Sequence, residues 1–151
     1  MSVVSLTGND TIKLNDRVLS DFADGEIGGI TFPNNIMEVK TGKNGNSLFA
    51  FNNSGRQCEA MLRIMRGSAD DKFLQDLFTL MINSPTTFTL LNGSFIKVIG
   101  NGAGATQNDT YVMTGGVFTK QIEVSSNADG STDQALAIYH LKFTNSPRVI
   151  A

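Results

Sequence analysis

The 151-residue sequence predicts a mainly β fold. The expected form is a small β-barrel or sandwich with one flanking α-helix over about residues 68–84 and an extended hairpin over about 36–53. Three observations predict it. Short runs of alternating apolar residues recur along the chain, separated by Asn-Gly, Asn-Asp and Gly-Gly pairs. Glycine is abundant at 15 residues and proline scarce at 3, which suits tight connections between strands. Only one stretch combines a helical apolar period with both a start and a stop signal. The length fits a single domain, 1–151, large enough for a core of its own.

The elements follow in chain order. Residues 2–6 read as an arm or an edge strand. Residues 11–14 and 17–19 flank Asn15-Asp16, a tight-turn pair. Residues 20–26 are polar and acidic, with Asp21, Asp24 and Glu26. Strand character resumes over 27–32 despite Gly28-Gly29, which mark a bulge or a close backbone approach. Pro33-Asn34-Asn35 is a turn. Met37, Val39 and Lys40 then lead into Thr41-Gly42-Lys43-Asn44-Gly45-Asn46, and Leu48, Ala50 and Phe51 lead out. Asn-Gly tolerates positive φ at both positions, so this is a hairpin with apolar residues expected on both faces. Such a ribbon is marginal alone in water and needs a partner surface.

Residues 57–66 alternate cleanly, with Cys58, Ala60, Leu62 and Ile64 on one face. Cys58, Met61, Leu62 and Met65 equally fit one face of a helix, so spacing leaves both readings open. The next element is less ambiguous. Ser68 is an N-cap with Asp71 in capping-box position, and Asp70 and Asp71 suit the positive end of the helix dipole. Phe73, Leu74, Leu77, Phe78, Met81 and Ile82 form the apolar face, and Pro85 ends it. A single amphipathic helix among strands must cover a sheet or a barrel end. Beyond it, 87–91 and 95–99 flank Asn92-Gly93 as a second expected hairpin, and 100–109 read as a loop. Residues 111–114 and 117–124 flank Gly115-Gly116, with Phe118, Ile122 and Val124 on a shared face. A polar loop over 125–133 precedes an alternating strand, 134–143, that carries Ala135, Ala137, Tyr139, Leu141 and Phe143 on one side. Residues 145–151 read as a short tail.

Composition narrows function. A net charge of −2 implies no basic face for nucleic acid. The single cysteine allows no internal disulfide and fits a reducing compartment. The first residues lack the pattern of a secretion signal, and no apolar run approaches the ~20 residues of a membrane helix, so a soluble, unsecreted protein is expected. Each tempting motif fails a physical requirement. Gly100-Asn101-Gly102-Ala103-Gly104 lacks the third spaced glycine and a helix after it. Thr41-Gly42-Lys43-Asn44-Gly45 lacks P-loop spacing. Asn127 to Asp133 lacks the last calcium ligand. His140 is the only histidine and reads as a strand surface residue, while Cys58 reads as a small buried hydrophobe. A Cys58–His140 dyad requires the fold to bring the two together. No catalytic, cofactor or metal site is therefore expected.

The run ITFPNNIMEVKTGKNGNSLFAFNNSGRQCEAMLRIMRGS, with Phe22-Ala23-Asp24-Gly25 before it, resembles the tail tube proteins of contractile-tailed bacteriophages. The TFP-N turn, the KTGKNGN hairpin and the LRxxRGS strand end entering a helix carry the resemblance. It implies a strand rather than a helix over 57–66. It also implies hexameric rings that stack into a hollow tube, in which strands of six subunits join as one inner barrel. DNA would pass through the lumen without specific binding. The hairpin would reach a neighbouring subunit or ring, making Met37, Val39, Lys43, Asn44, Asn46, Leu48, Phe49 and Phe51 the candidate subunit interface. The implied partners are further copies of the chain and the tail sheath, baseplate and tail-terminator proteins, with no membrane. The implied location is the virion tail, and the host cytoplasm during assembly. The tube subunit of a type VI secretion system or another contractile injection device is the alternative. A ligand-binding β-sandwich is a further one, disfavoured by the absence of Trp and the presence of only two Tyr for stacking.

Overall fold

The computed structural model of the chain describes residues 3–22, 27–124 and 135–151. In chain order the strands are β1 Ser5–Leu14, β2 Arg17–Leu19, β3 Gly28–Thr31, β4 Met37–Thr41, β5 Ser47–Phe51 and β6 Cys58–Met65. Helix α1, Ala69–Asn83, follows, and then β7 Leu91–Gly100, β8 Thr106–Phe118, β9 Glu123–Val124, β10 Leu136–Asn145 and β11 Arg148–Ile150. The fold is mainly β with one flanking helix, as the sequence predicts. Nine strands form one antiparallel sheet in the order β2-β1-β7-β8-β10-β6-β3, with β11 added on β8 and β9 on β10. The hairpin β4–β5 forms a sheet of its own.

The large sheet curls until its ends meet. After β2 the chain runs on to β6, where the Met65 amide donates to the Asp21 carbonyl at 2.8 Å and Phe22 bridges Ile64. Period-2 burial drives the curl. Cys58, Ala60, Leu62 and Ile64 of β6 point inward and are fully buried, which decides the strand reading of that stretch. Ala137, Tyr139, Leu141 and Phe143 of β10 do the same beside them, and Ile12, Leu14, Leu91 and Met113 close the core from the other wall.

Helix α1 plugs the core. Leu74 and Phe78 are buried, and the Phe78 ring meets Phe118 edge-on at 5.7 Å between centroids. The apolar face is narrower than its sequence suggests, since Ile82 is 55% exposed. The expected cap forms: Ser68 Oγ accepts from the Asp71 amide at 3.2 Å, and Asp71 Oδ2 accepts from the Gly67 amide at 2.8 Å. Tyr139 donates its hydroxyl to the other carboxylate oxygen of Asp71, fixing the helix start to β10. Burial first, and then this bond, push the Tyr139 hydroxyl well above its ordinary pKa, so it stays a donor.

Asp70 makes the second anchor. Its carboxylate is 1% exposed and accepts from the Ser20 amide at 2.7 Å, the Asp21 amide at 2.8 Å and Arg17 Nε at 3.0 Å. Burial alone pushes the Asp70 carboxyl up. The two amides and the guanidinium outweigh it and hold the group below the usual carboxylate range.

Several connections differ from expectation. Asn15-Asp16 is the tight turn predicted, with φ of 48° and 68°. Asn92-Gly93, however, lies inside β7, and 87–91 contributes only Leu91 to a strand. A side chain at Gly93 would press on the Lys13 carbonyl at 3.0 Å, so the glycine serves close packing against β1. Gly115-Gly116 likewise lies inside β8. Gly115 has φ +67°, and Gly116 lies beneath the Phe143 ring. Two steps along β7, Leu91 to Gly93, face three along β8, Gly116 to Met113, so these glycines build a bulge. The loop read over 100–109 shrinks to five residues between β7 and β8, and the tail read over 145–151 supplies β11. The strand read over 117–124 stops at Phe118 and resumes as β9. The loop read over 125–133 lies outside the described residues.

Two outcomes follow. Phe78→Ala opens a cavity in the core, and chemical denaturation is expected to show a loss of about 3–5 kcal/mol. Asp70→Ala leaves two backbone amides without their partner and is expected to cost about 3 kcal/mol at neutral pH. Because Asp70 binds its proton less readily when folded, its contribution is present above the ordinary carboxylate range and is lost as pH falls through the lowered pKa. The difference in melting temperature between wild type and Asp70→Ala is therefore expected to shrink on acidification.

Candidate assembly surface

The β4–β5 hairpin is built from its base upward. The Asn52 amide donates to the Ile36 carbonyl at 2.8 Å and closes the ribbon. Asn52 also caps the 3-10 turn Asn53–Arg56, accepting from the Ser54 amide and hydroxyl. Gly55 packs so tightly on the Ile36 backbone that a Cβ there would lie 2.5 Å from Ile36 Cα. The tip is held by two bonds, Gly42 amide to Asn46 carbonyl at 2.7 Å and Gly45 amide to Gly42 carbonyl at 3.0 Å. Gly45 adopts φ +83°, which glycine accepts without cost.

Register sorts the candidate interface residues. Met37 pairs with Phe51, Val39 with Phe49 and Thr41 with Ser47, and these alternate with Glu38–Ala50 and Lys40–Leu48. Met37, Val39, Phe49 and Phe51 therefore share one face. Leu48 alone of the large apolar residues lies on the other, beside Lys40. The ribbon is apolar on one side, not on both as expected from sequence. Lys43, Asn44 and Asn46 occupy the polar tip. Every residue of both strands is exposed; Val39 is 57% and Phe49 65% exposed. Within the described residues the only ring contact to this face is Arg56, whose guanidinium lies 5.3 Å from the Phe51 ring centre. Ile36 and Phe32, at the root of the ribbon, are exposed as well.

The other sequence candidates separate. Cys58 pairs with Phe143 and points into the core, while His140 pairs with Met61 and points out, so the sheet lies between the two and no dyad forms. Burial pushes the Cys58 thiol up, which leaves it protonated. His140 Nε2 lies 3.5 Å from Glu123 and has no hydrogen-bond partner among the described residues. The Gly100–Gly104 segment is the tight β7–β8 connection, with the Asn101 carbonyl oxygen of the side chain accepting from the Ala103 and Ala105 amides. No group of three or more His, Cys, Asp or Glu gathers at metal distance among the described residues. No helix among them is long and apolar enough to cross a membrane.

A cavity of ≈ 270 Å³ lies between β3 and the β1–β7–β8 wall, floored by Ile12, Ile30 and Phe95. Its charged groups are already engaged, Asp10 with Lys97 at 3.2 Å and Asp109 with Arg148 at 2.7 Å. Sequence reasoning missed these pairs, because cross-strand partners 87 and 39 residues apart show only once register is known.

No protein-family model matches the sequence, and no curated protein matches it.

The ribbon contributes nothing to the core, so its apolar face is expected to be dispensable for folding. Val39→Ser with Phe49→Ser should change unfolding free energy by no more than about 0.5 kcal/mol. A loss of several kcal/mol in urea denaturation would place the face inside the fold.

Proposed function

We propose that the chain is a structural subunit that self-assembles, and that it builds the inner tube of a contractile phage tail from stacked hexameric rings. The observation that carries this reading is the closed, capped hairpin with its apolar face uncovered. Its base is fixed by the Asn52–Ile36 bond and by Gly55, so the ribbon is presented rather than folded back. An apolar surface of this kind marks an interaction site. The resemblance of residues 22–25 and 30–68 to tail tube proteins supplies the class. The net charge of −2 suits a conduit, because a basic lumen would bind phosphates and retard DNA. On this reading the hairpin reaches the neighbouring subunit or ring, and sheath, baseplate and terminator proteins meet the tube outside the described contacts.

Electron microscopy of the purified protein tests it, with rings or tubes expected. Replacing residues 41–47 with a short glycine turn is expected to keep the melting temperature and to abolish polymers in sedimentation. Wild-type protein that stays monomeric at high concentration would overturn the reading.

A further inference from the structure

We propose that the hairpin tip is a site of spontaneous covalent modification, at which Asn44 loses its side-chain amide to attack by the backbone nitrogen of Gly45. Asparagine is among the thermolabile side chains. A five-membered imide closes when the amide nitrogen of the following residue attacks Cγ. Glycine is the most permissive follower, because no side chain shields its nitrogen or restricts the turn that brings it to Cγ. The chain has three Asn-Gly pairs, Asn44-Gly45, Asn92-Gly93 and Asn101-Gly102. They are alike in sequence, and the fold separates them.

Asn92-Gly93 is locked in a central strand. Gly93 stands between Leu14 of β1 and Met113 of β8. The Asn92 amide donates to Asn15 Oδ1 at 3.0 Å, and the Asn92 carbonyl accepts from the Asn15 amide at 2.8 Å. Closing the ring would swing this peptide away from its neighbours on both sides. Asn101-Gly102 is exposed but engaged. The Asn101 side-chain oxygen accepts from the Ala103 and Ala105 amides at 2.8 and 3.2 Å. Turning Cγ onto the Gly102 nitrogen gives up both bonds.

Asn44-Gly45 has neither restraint. Both residues are exposed, and the Asn44 carboxamide makes no hydrogen bond among the described residues. Nothing lies within 4 Å of the place a Cβ on Gly45 would take, so the approach is open. One bond opposes attack, from the Gly45 amide to the Gly42 carbonyl at 3.0 Å. It closes the end of a two-stranded ribbon, where local opening costs least.

Water is the only co-reactant. The Gly45 amide gives its proton to hydroxide, its nitrogen bonds Asn44 Cγ, and the Cγ–Nδ2 bond breaks to release ammonia. Water then opens the imide at either carbonyl. One opening leaves aspartate at position 44. The other leaves isoaspartate, in which the main chain runs through the side-chain methylene. Either product adds one negative charge, beside Lys43, to a chain of net charge −2. Isoaspartate also lengthens the span 42–46 that the two tip bonds close. The modification itself is independent of the assembly reading. Its consequence rests on that reading: unassembled subunits lose competence with age, and copies whose tips are covered in a polymer are protected.

Hydroxylamine tests the site, because it cuts a chain at an imide. Native protein held at mildly alkaline pH and treated with it is expected to break between residues 44 and 45, as read by fragment masses. Asn44→Gln is expected to lose that cut. Cuts at 92–93 and 101–102 are expected only after denaturant is added. Equal cutting at all three pairs in native protein, or none at 44–45, overturns the site. The consequence is tested by letting aged protein polymerise and mapping position 44 in pellet and supernatant. Modified copies concentrated in the supernatant support it. Equal distribution overturns the consequence and leaves the site standing. Protein that never polymerises overturns the tube reading, and the cleavage map still decides the site.

Discussion

A buried carboxylate holds this fold closed. Burying a charge is costly unless it is paired and hydrogen-bonded, and Asp70 meets both conditions with three donors from one short stretch, 17–21. The stretch answers in kind: Asp21 Oδ2 accepts from the Asp70 amide at 3.3 Å. That exchange sets the path of the chain as it leaves β2, and on this path the Asp21 carbonyl takes the Met65 amide and Phe22 bridges Ile64. Asp71, the next residue, reaches the opposite wall through Tyr139. Two consecutive acids in the first helical turn thus tie one helix end to both sides of a curled sheet. The helix dipole favours them there, so one local preference serves capping and tertiary closure together.

The same economy explains what was legible in the sequence. Ser68, Asp71 and the apolar spacing give the helix, because caps and amphipathic period are local facts. The alternation of Cys58, Ala60, Leu62 and Ile64 gives one face of β6, but only burial on the large sheet chooses it over the helical reading. Asn15-Asp16 gives a turn because its neighbours pair at once, Leu14 with Arg17. Asn92-Gly93 and Gly115-Gly116 use the same residue types for another purpose. Glycine permits positive φ and also close approach, and its neighbours in sequence do not tell which is needed. At Gly93 the need comes from the Lys13 carbonyl, and at Gly116 from the Phe143 ring; both lie far along the chain. β11 escaped for a related reason. Three residues carry little period, and their strand character comes from pairing with Asp109 to Tyr111.

The hairpin shows the limit from the other side. Its residues were legible as a ribbon, yet its amphipathic character needed the register. Pairing Met37 with Phe51 and Val39 with Phe49 gathers the apolar side chains onto one face and leaves Leu48 opposite. None of the buried core residues comes from the segment between β3 and β6. The barrel core and the ribbon are thus separate hydrophobic units in one chain. One has satisfied its burial within the subunit, and the other has not. On the proposed reading that division is useful: folding does not depend on assembly, and assembly has its own apolar surface in reserve.

Free strand edges carry a hazard, since any edge can pair with any other. Two strands with such edges, β1 and β11, carry charge near them. Asp10 and Arg148 are both engaged inside the subunit, with Lys97 and Asp109 respectively, so neither edge presents a lone charge. Burial opposes the ionised form of Asp109, but its bond to Arg148 comes first and holds its carboxyl below the usual range. Asp109 therefore stays ionised through neutral pH. Neither ion pair can be read until the register of residues far apart in sequence is known.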